Sequence, residues 1–246
     1  MRKLIIAGAL LLLPFVVHAA EQAPPLQQAN IDLKDKASLQ RGAKYFANYC
    51  MGCHSLQYMR YERMAADLDI PTAELQQNLI FGDAKPGDLM TNAMQPNDGQ
   101  NWFGTAVPDL TLVTRWRSPD YVYTYLKSFY YDDTRPWGVN NLVFPKVAMP
   151  HALVDLQGVQ KPVYAGGEAP TDGSEGHVVG VEPVEPGLLS PDEYDDMVRD
   201  ITNFLTYAGE PMKLQRRSLG LYVLLFLGLM FIAAYYLKKE FWKDVH

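Results

Sequence analysis

Five consecutive residues, Cys50-Met51-Gly52-Cys53-His54, combine two thiols two residues apart with an imidazole immediately after them. This is the c-type haem attachment pattern: the thiols add to the two vinyl groups, and the next imidazole is placed to bind iron. Two other chemistries use the same residue types, disulfide exchange by a Cys-x-x-Cys pair and zinc binding by a Cys-Cys-His set with one more ligand. A thiol oxidoreductase calls for strand-helix-strand patterning around the motif, and here the motif follows a helical pattern in strand-poor sequence. Cys50 and Cys53 are the only cysteines in the chain, which excludes a disulfide-stapled scaffold and a self-contained four-thiolate metal site.

An iron held by His54 and used for electron transfer needs a second axial ligand, a methionine or a histidine from the opposite haem face. Met149, in the Pro-stiffened run from Phe144 to Pro150, is the preferred candidate, since its thioether favours reduced iron. Met90, Met94 and His151 are its rivals, and bis-histidine ligation through His151 would lower the potential. Met197 and Met230 read as core and membrane fillers. Arg115 and Arg117 flank Trp116 just after Pro108-Asp109-Leu110, and either guanidinium suits a haem propionate in a partly dry pocket as well as it suits the open surface.

The elements that position these groups are mainly helical. A helix capped by Ser38 and running to about Tyr49 presents Leu39, Ala43, Phe46 and Cys50 on one face and delivers Cys50 at its end. Shorter helices are expected over Thr72–Ile80 and Pro119–Phe129. Ser190-Pro191-Asp192-Glu193 is a capping box opening a helix to about Tyr207, with Met197, Val198, Ile201, Phe204 and Leu205 as its apolar stripe and Gly209 and Pro211 as its stop. Residues 155–189 carry Gly, Pro and acidic residues without periodicity and read as a long surface loop.

The two ends point to a membrane. Arg2 and Lys3, an apolar run from Leu4 to Val17 and then His18-Ala19 have the layout of a secretory signal, removed after residue 19. Ser218–Leu237 is uncharged and long enough, at roughly 1.5 Å per residue, to cross about 30 Å of hydrocarbon. Arg216-Arg217 and Lys238-Lys239 fence it on both sides, so the signal and not the charge count sets the orientation: 20–213 outside, 238–246 a short cytoplasmic tail. The net charge of −6, about −8 once Arg2 and Lys3 are removed, excludes a nucleic-acid binder, which needs a basic face. Asp132-Asp133 and the acids from Glu168 to Glu185 suit a cationic partner better.

With these features together, the chain resembles the cytochrome c1 family, the haem-bearing subunits of the ubiquinol:cytochrome c oxidoreductase, or cytochrome bc complex. The resemblance spans nearly the whole mature chain. It rests on Cys50 to His54 continuing through Ser55-Leu56-Gln57-Tyr58-Met59-Arg60-Tyr61, on Pro108-Asp109-Leu110-Thr111, Asp120-Tyr121-Val122 and Ala148-Met149-Pro150, and on Gly209-Glu210-Pro211 before Arg216-Arg217. It implies a mainly α, cytochrome c-like haem domain with long loops, one C-terminal transmembrane helix and one covalently attached haem c. It implies residence in a bacterial inner membrane with the haem domain in the periplasm, beside cytochrome b. The electron would come from a Rieske iron-sulfur protein and pass to a soluble or membrane-tethered c-type cytochrome.

Carried over residue by residue, the family implies that Cys50 and Cys53 form the thioethers and that His54 and Met149 are the axial pair. Arg117 with Tyr121 would contact the propionates, and Pro108 and Phe144 would line the pocket. Arg115 stays the alternative to Arg117, because the stretch between Leu110 and Asp120 is shortened. Outside this family, the same features would serve the c-type haem subunit of another membrane-bound oxidase, reductase or dehydrogenase, or an anchored thiol-disulfide oxidoreductase.

Overall fold

The computed structural model describes residues 24–167 and 176–244. The leader expected over 1–19, the middle of the acidic stretch and the last two residues of the tail fall outside them. Helix α1 spans Lys36–Tyr45 and closes with a π-helical turn, Phe46–Cys50. Strand β1 (Leu56–Arg60), helix α2 (Tyr61–Asp67), helix α3 (Thr72–Asn78) and strand β2 (Leu89–Met90) follow. Then come α4 (Pro96–Phe103), α5 (Val113–Trp116), α6 (Pro119–Lys127), β3 (Phe129–Tyr131) and β4 (Val139–Asn141). The chain ends with α7 (Val154–Gln157), β5 (Gly158–Tyr164), β6 (Val178–Pro186), α8 (Pro191–Gly209) and α9 (Lys213–Phe241).

The core is built where α1 crosses α8. Leu39, Ala43 and Phe46 from one helix meet Val198, Ile201, Phe204 and Leu205 from the other, all buried, with the Phe46 and Phe204 rings 5.7 Å apart. Gly42 makes the crossing tight: a Cβ there would lie 2.1 Å from the Asp200 carbonyl oxygen. Arg41 closes the rim through paired bonds to the buried Asp200 carboxylate, at 2.6 and 3.0 Å. Helix α6 joins this core through Tyr194, whose hydroxyl donates to the Leu126 carbonyl at 2.8 Å.

Two sequence expectations are corrected here. Ser38 does not cap α1. Asp35 does, accepting from the Ser38 amide at 3.0 Å, while Ser38 is buried inside the helix and its hydroxyl accepts from Asn203 Nδ2. A carboxylate three residues ahead of the amide has the reach and charge for the cap, which frees the serine for the interior. The stretch 155–189 is not a plain loop: β5 and β6 pair antiparallel from Gly158↔Pro186 to Tyr164↔Val178. Register shifts at Val159/Gln160 and Val163/Tyr164 break the period-two pattern that would have revealed the strands. The hairpin base needs glycine, because Gly158 has φ of +88° and its Cβ would meet the Glu185 carbonyl at 2.1 Å.

The two shorter helices start where expected but end sooner, α3 at Asn78 and α6 at Lys127, with Phe129 opening β3. Ser190 and Glu193 form the capping box of α8, Ser118 caps α6 ahead of Pro119, and α3 begins at Thr72. Helix α9 is longer than its uncharged centre, has a mean hydropathy of 2.1 over its most apolar stretch, and is long and apolar enough to cross a membrane. None of that stretch is covered by the rest of the protein. Glu210 ties it to the domain, receiving Arg216 at 2.6 Å and Arg115 at 3.9 Å.

Candidate functional site

The π-helical turn sets the first half of the site. Its wider spacing carries the Met51 amide to the Phe46 carbonyl at 2.9 Å, after which the Cys53 and His54 amides both donate to the Cys50 carbonyl, at 3.1 and 2.8 Å. Cys50, Cys53 and His54 are thus presented on one tight turn, each partly exposed, with both thiols free. Burial pushes the Cys50 thiol up to about 12, with Cys53 adding to the rise. Such a thiol is the opposite of the acidic thiolate that a disulfide-exchange enzyme needs.

His54 is held by a backbone carbonyl. Its Nδ1 lies 2.8 Å from the Pro108 oxygen, and since a carbonyl only accepts, Nδ1 carries the proton and Nε2 keeps its lone pair. Burial lowers the pKa of the ring, against the opposing pull of the Pro108 bond and Asp109. A neutral imidazole with a fixed ring and a free Nε2 is the form an iron ligand takes. The loop that supplies Pro108 is locked to the same turn: Leu110 donates to the Ser55 carbonyl at 3.0 Å, and the Asp109 carboxylate accepts from the Gln57 amide at 2.7 Å. Among the described residues no group of three His, Cys, Asp or Glu side chains is arranged to hold a bare metal ion. Among the described residues the zinc alternative therefore lacks a fourth ligand.

The second half gathers around Met149. Tyr125, on α6, donates its hydroxyl to the Met149 sulfur at 3.3 Å. Tyr121 stacks on Tyr125 with centroids 6.2 Å apart, and the Arg117 guanidinium sits 5.0 Å from the Tyr121 ring and 4.1 Å from that of Trp116. Arg117, Tyr121 and Met149 are therefore joined through Tyr125, a residue the sequence reading passed over although it lies one helical turn beyond Tyr121. Arg115 points elsewhere, to Glu210 at the foot of α9, so the geometry favours Arg117 for the site. Phe144 is 44% exposed, and its amide donates to Asn141 Oδ1 at 3.2 Å, which places it on the rim of the Met149 loop.

The rivals of Met149 occupy different surroundings. Met90 is fully buried opposite Leu56 and packs the core, and Met94 lies half-buried in the loop before α4. His151 lies flat against Phe129, with centroids 4.7 Å apart and planes 4° from parallel, and its Nε2 is buried without a hydrogen-bond partner. Burial lowers its pKa to about 4, against a weak opposing pull from Gln157. Phe129 also meets Tyr125 edge-on at 5.2 Å, so one aromatic cluster braces both ends of Met149-Pro150-His151. The two halves rest on one core, against which Cys50 and Tyr125 both pack. The Asp132 carboxylate accepts from Thr134 and Asn140, neutral donors that hold it in place and leave its charge intact.

These residues fit a covalently held haem. The two thiols lie on one turn; the imidazole has Nδ1 pinned by a carbonyl and Nε2 left to donate; a thioether and a guanidinium are joined through the stacked pair Tyr125 and Tyr121.

A family model described as the Cytochrome C1 family matches residues 27–161 and 189–245. The unmatched stretch holds most of the β5–β6 hairpin. The chain is 66% identical over 246 residues to the "Cytochrome c1" of Allochromatium vinosum, covering 100% of both chains. It is 43% identical over 238 residues to the "Ammonia monooxygenase gamma subunit" of Nitrosomonas europaea, covering 97% of this chain and 96% of that one. It is 26% identical over 249 residues to the "Cytochrome b/c1" of Bradyrhizobium diazoefficiens, covering 86% of this chain and 34% of that one.

Proposed function

Because the chain belongs to the cytochrome c1 family, we propose that it is the anchored c-type cytochrome of a respiratory quinol:cytochrome c reductase. In this reading it takes one electron from a Rieske iron-sulfur protein and hands it to a soluble or membrane-tethered c-type cytochrome. The observation that carries the reading is His54, neutral, fixed by Pro108 and following two thiols on one turn. Haem c, when bound, supplies a one-electron iron couple.

The chain supplies the rest. Cys50 and Cys53 fix the group covalently, so it stays in place in both redox states. His54 Nε2 and the Met149 sulfur would hold the iron, and Tyr125 orients the sulfur by donating to it. Arg117, with Tyr121 beneath it, takes a propionate, and Pro108 and Phe144 close the pocket. Residues 1–19 are a leader that is removed, residues 20–213 form the periplasmic cytochrome c-like domain, residues 218–237 hold it in the bacterial inner membrane, and residues 238–246 lie in the cytoplasm. The Glu210 pairs with Arg115 and Arg216 fix how the domain stands on its anchor. Cytochrome b is the neighbour of that anchor, a placement supported by the relative whose name joins b and c1 in one chain.

The gamma-subunit name of the second relative keeps one other reading open, a haem subunit serving a different membrane oxidase. Affinity purification of the tagged full-length chain from its native membranes in mild detergent separates the two. The respiratory reading expects a dihaem cytochrome b and a Rieske subunit to copurify, with quinol-dependent reduction of cytochrome c. Recovery with monooxygenase polypeptides and neither of those partners would replace it with the second reading.

A further inference from the structure

A haem carries two propionates, and in a partly dry pocket each needs its own donors, because a carboxylate left without them is costly to bury. Arg117 answers for one, on the α6 flank of Met149. The loop leading into Met149 also borders a cavity of about 290 Å³, walled by Trp102, Phe103, Arg135, Trp137, Val147 and Ala148. Val147 and Ala148 immediately precede Met149, so the wall of this cavity is the ligand's own loop.

Arg135 is the one cation among the residues lining it. Its Nη2 donates to the Lys146 carbonyl at 3.0 Å, while its Nε is buried without a hydrogen-bond partner. An N–H abandoned away from water is costly, the more so on a charged group. The Asp132 carboxylate attracts Arg135 through space, yet it directs one oxygen to Thr134 and the other to Asn140 and gives Nε no hydrogen bond. What Nε lacks is an acceptor within bonding distance. The three aromatic side chains describe the rest of the ligand: Phe103 lies 6.4 Å from Trp102 and 5.5 Å from Trp137, and the two indoles remain 59% and 45% exposed. Rings of this size cover a flat apolar edge, which a small free anion does not have.

We propose that Arg135 binds the second haem propionate, so that two guanidiniums, Arg117 and Arg135, flank the Met149 loop and neutralise one carboxylate each. This rests on the haem reading of Cys50–His54 and adds to it a residue that the motif does not include. Removing the Arg135 charge uncovers a negative charge near the iron, which favours the ferric form.

The test uses the detergent-solubilised holoprotein. Arg135→Gln should keep full covalent haem and the Met-ligation band while its midpoint potential falls. Arg135→Lys, which keeps the charge but loses the planar fork, should stay near the wild-type potential yet shift the propionate-bending band in the resonance Raman spectrum. Unchanged propionate bands in Arg135→Lys, or a wild-type potential in fully loaded Arg135→Gln, would overturn the assignment. Loss of the Met band in Arg135→Gln would also overturn it, leaving Arg135 as a prop for the Lys146 carbonyl. A wild-type chain without haem would instead defeat the underlying reading.

Discussion

Replacing Met149 by leucine is expected to abolish the weak charge-transfer band that ferric haem shows at the red edge of the spectrum with a thioether ligand. The midpoint potential should fall with it, by on the order of 0.1 V, within the ≈ 0.8 V range that axial ligands span. Leucine nearly matches methionine in volume, so packing against Tyr125 and the loop survives, and the change in packing alone should cost under about 1.5 kcal/mol. The Tyr125 hydroxyl, 3.3 Å from the sulfur in the native chain, would lose its acceptor. His151 supplies the contrast. Its ring is committed to Phe129, so His151→Ala should leave the band in place. An unchanged band and potential in Met149→Leu would take Met149 out of the site, and loss of the band in His151→Ala would show that the stack is what holds the loop.

The largest effect on folding is expected at Gly42. Alanine in the interior of a helix ordinarily gains about 0.5–1 kcal/mol over glycine. Here the sign reverses, because the added carbon would stand 2.1 Å from the Asp200 carbonyl and 2.6 Å from Phe204 Cβ, contacts with backbone and with a packed side chain that cannot swing away. To make room, α1 must lift off α8, loosening the Phe46–Phe204 contact and stretching the Arg41–Asp200 pair together. Gly42→Ala should cost about 2–4 kcal/mol, and Gly42→Val should leave little folded protein. Thermal unfolding of the haem-loaded protein measures this. Gly87→Ala is the control, since its nearest neighbour is a Glu62 oxygen at 3.9 Å, and it should melt with the wild type. A Gly42→Ala protein as stable as that control would mean that the helix crossing is not as close as the structure shows.

How much of this was legible in the sequence depends on how local each signal is. The thiol pair and its histidine are contiguous, and their chemistry can be read from five letters. The long helix before the anchor carries its N-terminal cap in its own sequence, and α8 begins at Pro191 after the Ser190 cap, as the capping box indicates, whereas at its other end Gly209 stays helical and Glu210 is the cap. The cap of α1 was misplaced by three residues because Asp35 and Ser38 are both good cap residues, and only the burial of Ser38 against Asn203 separates them. The β5–β6 hairpin was hidden because bulges break its alternation and its prolines and glycines imitate a loop. Arg117 could not be told from Arg115 along the chain; the difference lies in three dimensions, where one meets Tyr121 and the other Glu210. Tyr125 and Arg135 were missed for the same reason. Each acts on Met149 or its loop from a separate segment, and no periodicity in sequence records that meeting.

The intact mass of the chain purified from membranes, taken together with a pyridine haemochrome spectrum, tests the haem attachment most directly. The expected product is a red polypeptide weighing residues 20–246 plus one haem, with neither Cys50 nor Cys53 open to alkylation. A colourless chain at its bare polypeptide mass, with both thiols alkylated in a host that matures other c-type cytochromes, would contradict it.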